Sequence, residues 1–307
     1  MWISDGLSLA SYDLPSLEPS DLVQIANGLR DVAVSFDQQE VWAAHPTGVA
    51  IVVPGGPQLD GVPLDDPRGL VFSAGDFAYV GNVDAGLGGQ VVVIDTGSHS
   101  AIDVIAVASQ PTSTALSPDD AQLYVTDADA SAVIVIDTAS REIIGSVGTG
   151  IGPQHCAVSA DGTRLYAASV SEITVIDTAS LTALGTYVPG VGALNRMAVS
   201  PDGQLLYVAG VSGLHIIEAQ TGDVIESVPL PFLSDVALTD DGAFAIVTGT
   251  IEARIVVIDT ASLQVVAERQ HPTPSFLDVR TTAIFADGFE SGDTGGWEVT
   301  LPGGARR

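Results

Sequence analysis

The sequence predicts an all-β fold, a seven-bladed β-propeller of four-stranded antiparallel blades. Three observations lead there: a recurring phrase, an aromatic that recurs in phase with it, and turn signals between the two. The phrase Val-Ile-Asp-Thr places its acid at Asp95, Asp137, Asp177 and Asp259. Ile216-Ile217-Glu218, Ile51-Val52-Val53-Pro54 and Ala10-Ser11-Tyr12-Asp13 fall in the same phase. The marks at 13, 54, 95, 137, 177, 218 and 259 are spaced by 40 to 42 residues.

The aromatic mark is Trp2, Trp42, Tyr79, Tyr124, Tyr166 and Tyr207, with Ile246 in the seventh place. Turns such as Ser117-Pro118-Asp119-Asp120, Ser200-Pro201-Asp202-Gly203 and Thr239-Asp240-Asp241-Gly242 separate the marks. Proline presets φ, Asp bonds its own backbone, and Gly supplies positive φ. Apolar runs between turns are short and β-branched, so each unit reads as four strands. In one unit these are expected at 155–159, 164–169, 172–177 and 181–188.

The ends predict a closed ring. The chain starts inside a unit at Trp2-Ile3, while Phe276 to Thr281 repeats the pattern of Ser234 to Thr239. The carboxyl-terminal strand is therefore expected to complete the amino-terminal blade, which removes a free sheet edge. Residues 1–283 would form the propeller, and 284–307 a tail that is flexible or a sorting segment.

Charge narrows the functional classes. The chain has 38 acids against 10 arginines, no lysine, and a net charge of −28. Such a field repels nucleic-acid backbones. The longest uncharged apolar stretch, 41–59, is broken by His45, Pro46, Pro54, Gly55, Gly56 and Pro57, so no membrane span is expected. The amino terminus has no signal-peptide pattern, and the single Cys156 forms no internal disulfide. A monomer is expected, with a protein or a small anionic ligand as partner.

The repeat Ala-Val-Ser-Pro-Asp-Gly (198–203), then Leu-Tyr-Val (206–208), then Val-Ile-Asp-Thr resembles the YVTN family of β-propellers. Tyr124-Val125-Thr126 followed by Asp127 carries the same likeness. The resemblance implies a cell-surface or periplasmic setting. The segment 284–293, with Trp297 beyond it, is similar to carboxyl-terminal tails of secreted proteobacterial proteins, which implies export. The two readings agree with the missing leader if Met1 is a truncated or misassigned start.

Most conspicuous residues repeat and so read as structural. The Asp of each Val-Ile-Asp-Thr is expected to cap its turn, and the aromatics to pack between blades. Chemistry is sought where the repeats differ. At the expected channel mouth stand Arg30, Arg68, His155 and Arg196. They read as a small anion site, since the guanidinium fork suits carboxylate or phosphate. The alternative is that these arginines pair with Asp31, Asp235 and neighbouring acids.

Two acidic loops, with Asp84, Asp127 and Asp129, raise calcium as a candidate cofactor, although solvated loops are the simpler reading of them. The five histidines show no paired zinc spacing. No nucleophile elbow or phosphate loop occurs, Cys156 reads as a buried inert thiol, and no catalytic residue is assigned. The expectation is a non-enzymatic cell-envelope or secreted binding scaffold. The rival is a hydrolase resembling the seven-bladed lactonases, with its site at the channel mouth.

Overall fold

The structure, a computed structural model, describes residues 1–4, 8–13, 18–24, 29–35, 37, 39–56, 58–107, 109–249, 251, 254–270 and 277–278. The predicted tail 284–307 lies outside these residues. Every described strand pairs antiparallel with its neighbour, and no helix among the described residues is long and apolar enough to cross a membrane. In the fourth blade the strands are His155–Val158, Arg164–Ala168, Ile173–Asp177 and Thr182–Tyr187, close to the expected bounds.

Six such blades follow one another along the chain, over 31–63, 67–106, 111–148, 155–187, 194–228 and 233–270. Their first strands touch in sequence around a ring, and the link between the sixth and first blades runs through Leu277–Asp278. The expectation of seven blades needs correction: six blades are complete. A seventh four-stranded sheet closes the ring but is a composite, in the order Leu277–Asp278, Trp2–Ser4, Ser8–Asp13, Glu18–Gln24. Among the described residues its seam pairs Trp2 with Asp278 and Ile3 with Leu277. Among its described side chains only Ile3 is buried in a core cluster, and it packs against Phe244, Ile246 and Ile255 of the sixth blade. The count of seven marks took Asp13 as equivalent to Asp137 and so gave the shared sheet the same weight as a blade continuous in the chain.

The core lies between blades rather than within them. Tyr166 and Val175 of the fourth blade pack with Met197, Leu206 and Ile217 of the fifth. Second and third strands are covered on both faces, so Val133 to Ile136 is a continuous buried run. Fourth strands form the rim, and Glu142–Gly148 is mostly exposed. The aromatic mark has the expected packing role: Trp42, Tyr79, Tyr124, Tyr166 and Tyr207 are all buried, as is Ile246.

The turns on one face are stitched by repeated side chains. Asp95, Asp137, Asp177 and Asp259 each accept the backbone N–H and the hydroxyl of the serine three residues on, at 2.6 to 2.9 Å. The following threonine has its own task. Thr138, Thr178 and Thr260 donate to the carbonyls of Asp120, Gly162 and Gly242 in the neighbouring turn of the same blade.

The residue after that serine adopts a left-handed backbone, with φ of 53° at His99, 59° at Arg141, 52° at Leu181 and 55° at Leu263. Its side chain clasps the preceding blade. His99 reaches Glu40 at 2.9 Å and lies edge-on to Trp42, while Arg141 bonds Asp103 and covers the Phe77 ring. Leu181 and Leu263 join apolar clusters that span the joint between their own blade and the one before. Gly222 occupies the fifth blade's position, and there Tyr187 of the fourth blade crosses instead, donating to Ala219 O at 2.8 Å.

Gly69 marks a close approach at the ring. A Cβ there would lie 2.7 Å from Thr114 N and 2.9 Å from Ser113 Cα, both backbone atoms of the third blade. Gly69→Ala should therefore push two innermost strands apart and cost about 1–3 kcal/mol. Chemical denaturation measures this, and an unchanged midpoint would remove the steric account.

Candidate functional site: the channel mouth

Each innermost strand begins on the same face, opposite the stitched turns. The first residues there differ from blade to blade, as Arg30-Asp31, Arg68-Gly69, Thr112-Ser113, Gln154-His155, Asn195-Arg196 and Ser234-Asp235. The structure sorts the four predicted ligand residues into two groups.

The first group is Arg30 and Arg68, which converge on Asp66 from opposite sides. Arg30 Nη2 lies 2.8 Å from Asp66 Oδ1, and Arg68 donates to Asp66 Oδ2 from Nη2 at 2.9 Å and Nε at 3.1 Å. Asp66 is itself anchored, because its N–H donates to Asn82 Oδ1 at 3.1 Å. Two guanidiniums share one carboxylate, so the trio carries one excess positive charge.

The second group is centred on Arg196. Its Nη2 lies 3.1 Å from Asp31 Oδ1 and its Nη1 lies 3.7 Å from Asp235 Oδ2. Asp235 belongs to the adjacent sixth blade, but Asp31 belongs to the first, with the sixth blade and the closing sheet between by the shorter way round. The guanidinium therefore bridges blades across the channel. Asp31 Oδ2 also accepts the Leu70 N–H of the second blade at 2.9 Å. Burial pushes the Asp31 carboxyl above its ordinary value, and Arg196 and Leu70 pull it partly back. Burial opposes the charge of Arg196 too, yet Asp31 and Asp235 together raise its pKa.

His155 sits at the same level as Arg196. Burial and the nearby Arg196 charge hold its pKa down to about 3, so the ring is neutral at physiological pH. Its Nδ1 is buried without a hydrogen-bond partner among the described residues. All three arginines are thus paired with acids, as the pairing alternative has it, and the Arg30–Asp66–Arg68 trio differs in keeping one excess positive charge. Cys156, next in sequence, is buried and its thiol is pushed up to about 12, which keeps it protonated.

The metal candidates do not converge. Asp84 Oδ1 accepts the N–H groups of Gly86 and Leu87, both at 2.8 Å. Asp127 is buried and accepts Gln110 N–H and Ala130 N–H, each at 2.9 Å, while Asp129 is exposed. These carboxylates close their own loops, and no group of three or more His, Cys, Asp or Glu among the described residues is placed to hold a metal ion.

Sequence reasoning missed a cleft of about 550 Å³ on the opposite face, between the first and second blades. Asp37, Glu40, Phe72, Asp76 and Asp95 line it. Glu40 is occupied there, since it accepts Trp42 Nε1–H at 2.8 Å and pairs with His99. The departure of Ser73-Ala74-Gly75 from the Ser-Pro-Asp pattern was the available signal.

A solved structure of similar shape is titled Kuenenia stuttgartiensis Hydrazine Synthase. The likeness has a TM-score of 0.70 at 20% identity, over 81% of this chain and 88% of that one. At that identity it shows the β-propeller fold alone. No curated protein matches the sequence. A family match spans residues 112–286, more than half the chain and four of the six complete blades, counting the third onward. The chain belongs to that family, described as a domain of unknown function, DUF5074.

Proposed function

We propose that the protein is a non-enzymatic binding scaffold whose channel mouth takes a small carboxylate- or phosphate-bearing ligand. The observation that carries this reading is the Arg30–Asp66–Arg68 trio, in which two cations share a single anion at a partly exposed rim. A second anion would complete the charge balance and meet guanidinium donors held in place by Asp66. A neutral His155 and a doubly paired Arg196 favour binding over proton transfer at this mouth. A cell-envelope or extracellular setting is part of the proposal and rests on the repeat's resemblance to surface propellers.

Isothermal calorimetry with citrate and with inorganic phosphate tests it. Arg30→Ala and Arg68→Ala should each weaken binding about tenfold, the scale of one lost charge-assisted hydrogen bond. Arg164→Ala, whose partner Asp177 lies on the opposite face, should leave it unchanged. Equal heats from the parent protein and the Arg30/Arg68 double variant would end the proposal.

A further inference from the structure

We propose that loop tips on one half of the mouth face form a docking crescent for a protein segment with an apolar centre and arginine or lysine flanks. This rests on the scaffold reading but uses a surface separate from the anion site.

Among the described residues, exposed large apolar side chains are segregated. Those on the fourth strands, such as Ile102, Ile143 and Ile225, stand on the outer rim. All the rest lie in loops at the mouth face, and none lies in the stitched turns of the opposite face. Leu87 stands apart on the second blade. Ile151, Val170, Val188, Val211, Phe232 and Ile251 follow one another around the fourth, fifth and sixth blades. Ile151 is 85% exposed, Val188 70% and Ile251 66%. Loop tips are ordinarily polar, and a run of apolar ones marks a surface that is covered in use.

Phe232 adds a second, independent observation. Its φ is +59°, a region costly for a bulky side chain, yet 45% of the residue is exposed. Its N–H is tied to Val211 O at 3.0 Å, which fixes the strained backbone. Beside it, a Cβ on Gly192 would lie 3.1 Å from Val211 Cγ2, so the neighbouring loop is packed against the same spot. Strain retained under an outward aromatic is what a preorganised interface anchor requires.

Charge selects the occupant. The chain carries −28 with no lysine, Glu172 is two residues from Val170 in the crescent, and Asp65 and Asp129 are exposed on the same face beyond it, on the first three blades. A second copy or an anionic bilayer would bring like charge to that rim. A cationic flank complements it, steering approach while the crescent buries the apolar centre.

The test uses labelled synthetic peptides of about 12 residues, a Leu/Phe centre flanked by Arg or by Glu, read by fluorescence anisotropy. The Arg-flanked peptide should bind at least about tenfold more tightly than the Glu-flanked one. Combined Ile151→Ser, Phe232→Ser and Ile251→Ser should lose about tenfold or more, and Ile102→Ser with Ile143→Ser and Ile225→Ser should lose none. All replaced side chains are exposed, and thermal melts check that both variants fold. Binding by neither peptide, equal binding by both triple variants, self-association abolished by the crescent variant, or displacement of the peptide by phosphatidylcholine vesicles would each overturn it. Arg30→Ala/Arg68→Ala should keep the peptide, so loss of the anion site and loss of the crescent are separate results.

Discussion

Arg196→Met should unfold about 10 °C below the parent protein at neutral pH, a loss of about 3–5 kcal/mol for breaking a buried ion pair at one partner. Methionine fills similar space, so the effect isolates charge. Removing the guanidinium leaves Asp31 and Asp235, both buried, facing the channel without the cation they share. Burial already raises the Asp31 pKa, and without Arg196 it would rise further. A carboxyl raised in the fold favours the native state at low pH and loses that contribution as pH climbs through its folded value. The gap between variant and parent should therefore narrow between pH 7 and pH 5. Calorimetric melts across that range decide it. A gap no larger than that of Arg164→Met, at the exposed pair with Asp177, would show that the cross-channel bridge does not hold the ring.

The parent protein should lose stability steeply in acid, below about pH 4. Nine turn aspartates, Asp37, Asp95, Asp119, Asp137, Asp161, Asp177, Asp202, Asp241 and Asp259, are held below their ordinary 3.8, chiefly by serine or threonine hydroxyls and backbone N–H groups. Each contributes stability that is complete above the unfolded value and vanishes as pH falls through the lower folded one. Because all nine are shifted in the same direction, unfolding takes up several protons as pH falls and the midpoint should drop. Asp31 runs the other way, but it is one group against nine. The combined Asp137→Asn, Asp177→Asn and Asp259→Asn variant should be less stable at pH 7 and show a shallower acid slope. A melting midpoint unchanged down to pH 3 would refute the account.

The strands of the fourth blade were legible to within a residue or two because β-branched runs and Ser-Asp-Gly turns mark both ends of each. The capping role of Asp137 was legible for a similar reason, since donor and acceptor are three residues apart. The number of whole blades was not. Periodicity marks where a unit falls, and it is silent on how much of that unit each end of the chain supplies. At the mouth, alignment of strand starts found Arg30, Arg68, His155 and Arg196, but most of the pairing was hidden. Arg68 has Asp66 two residues away, whereas Arg30 reaches Asp66 from the first blade and Arg196 reaches Asp31 across the channel, contacts that no local pattern encodes. The blade-to-blade clasps were hidden likewise, because His99, Arg141, Leu181 and Gly222 share a backbone position and nothing else.

That diversity matters for a chain made of near copies. Units so alike in their strands could dock in the wrong order while folding, since one apolar flank resembles the next. The joints are keyed differently: histidine on glutamate, arginine on a phenyl ring, leucine on an apolar hollow, and a tyrosine reaching forward over glycine. A displaced neighbour would meet a lock cut for another key, and correct succession around the annulus is written into those junctions.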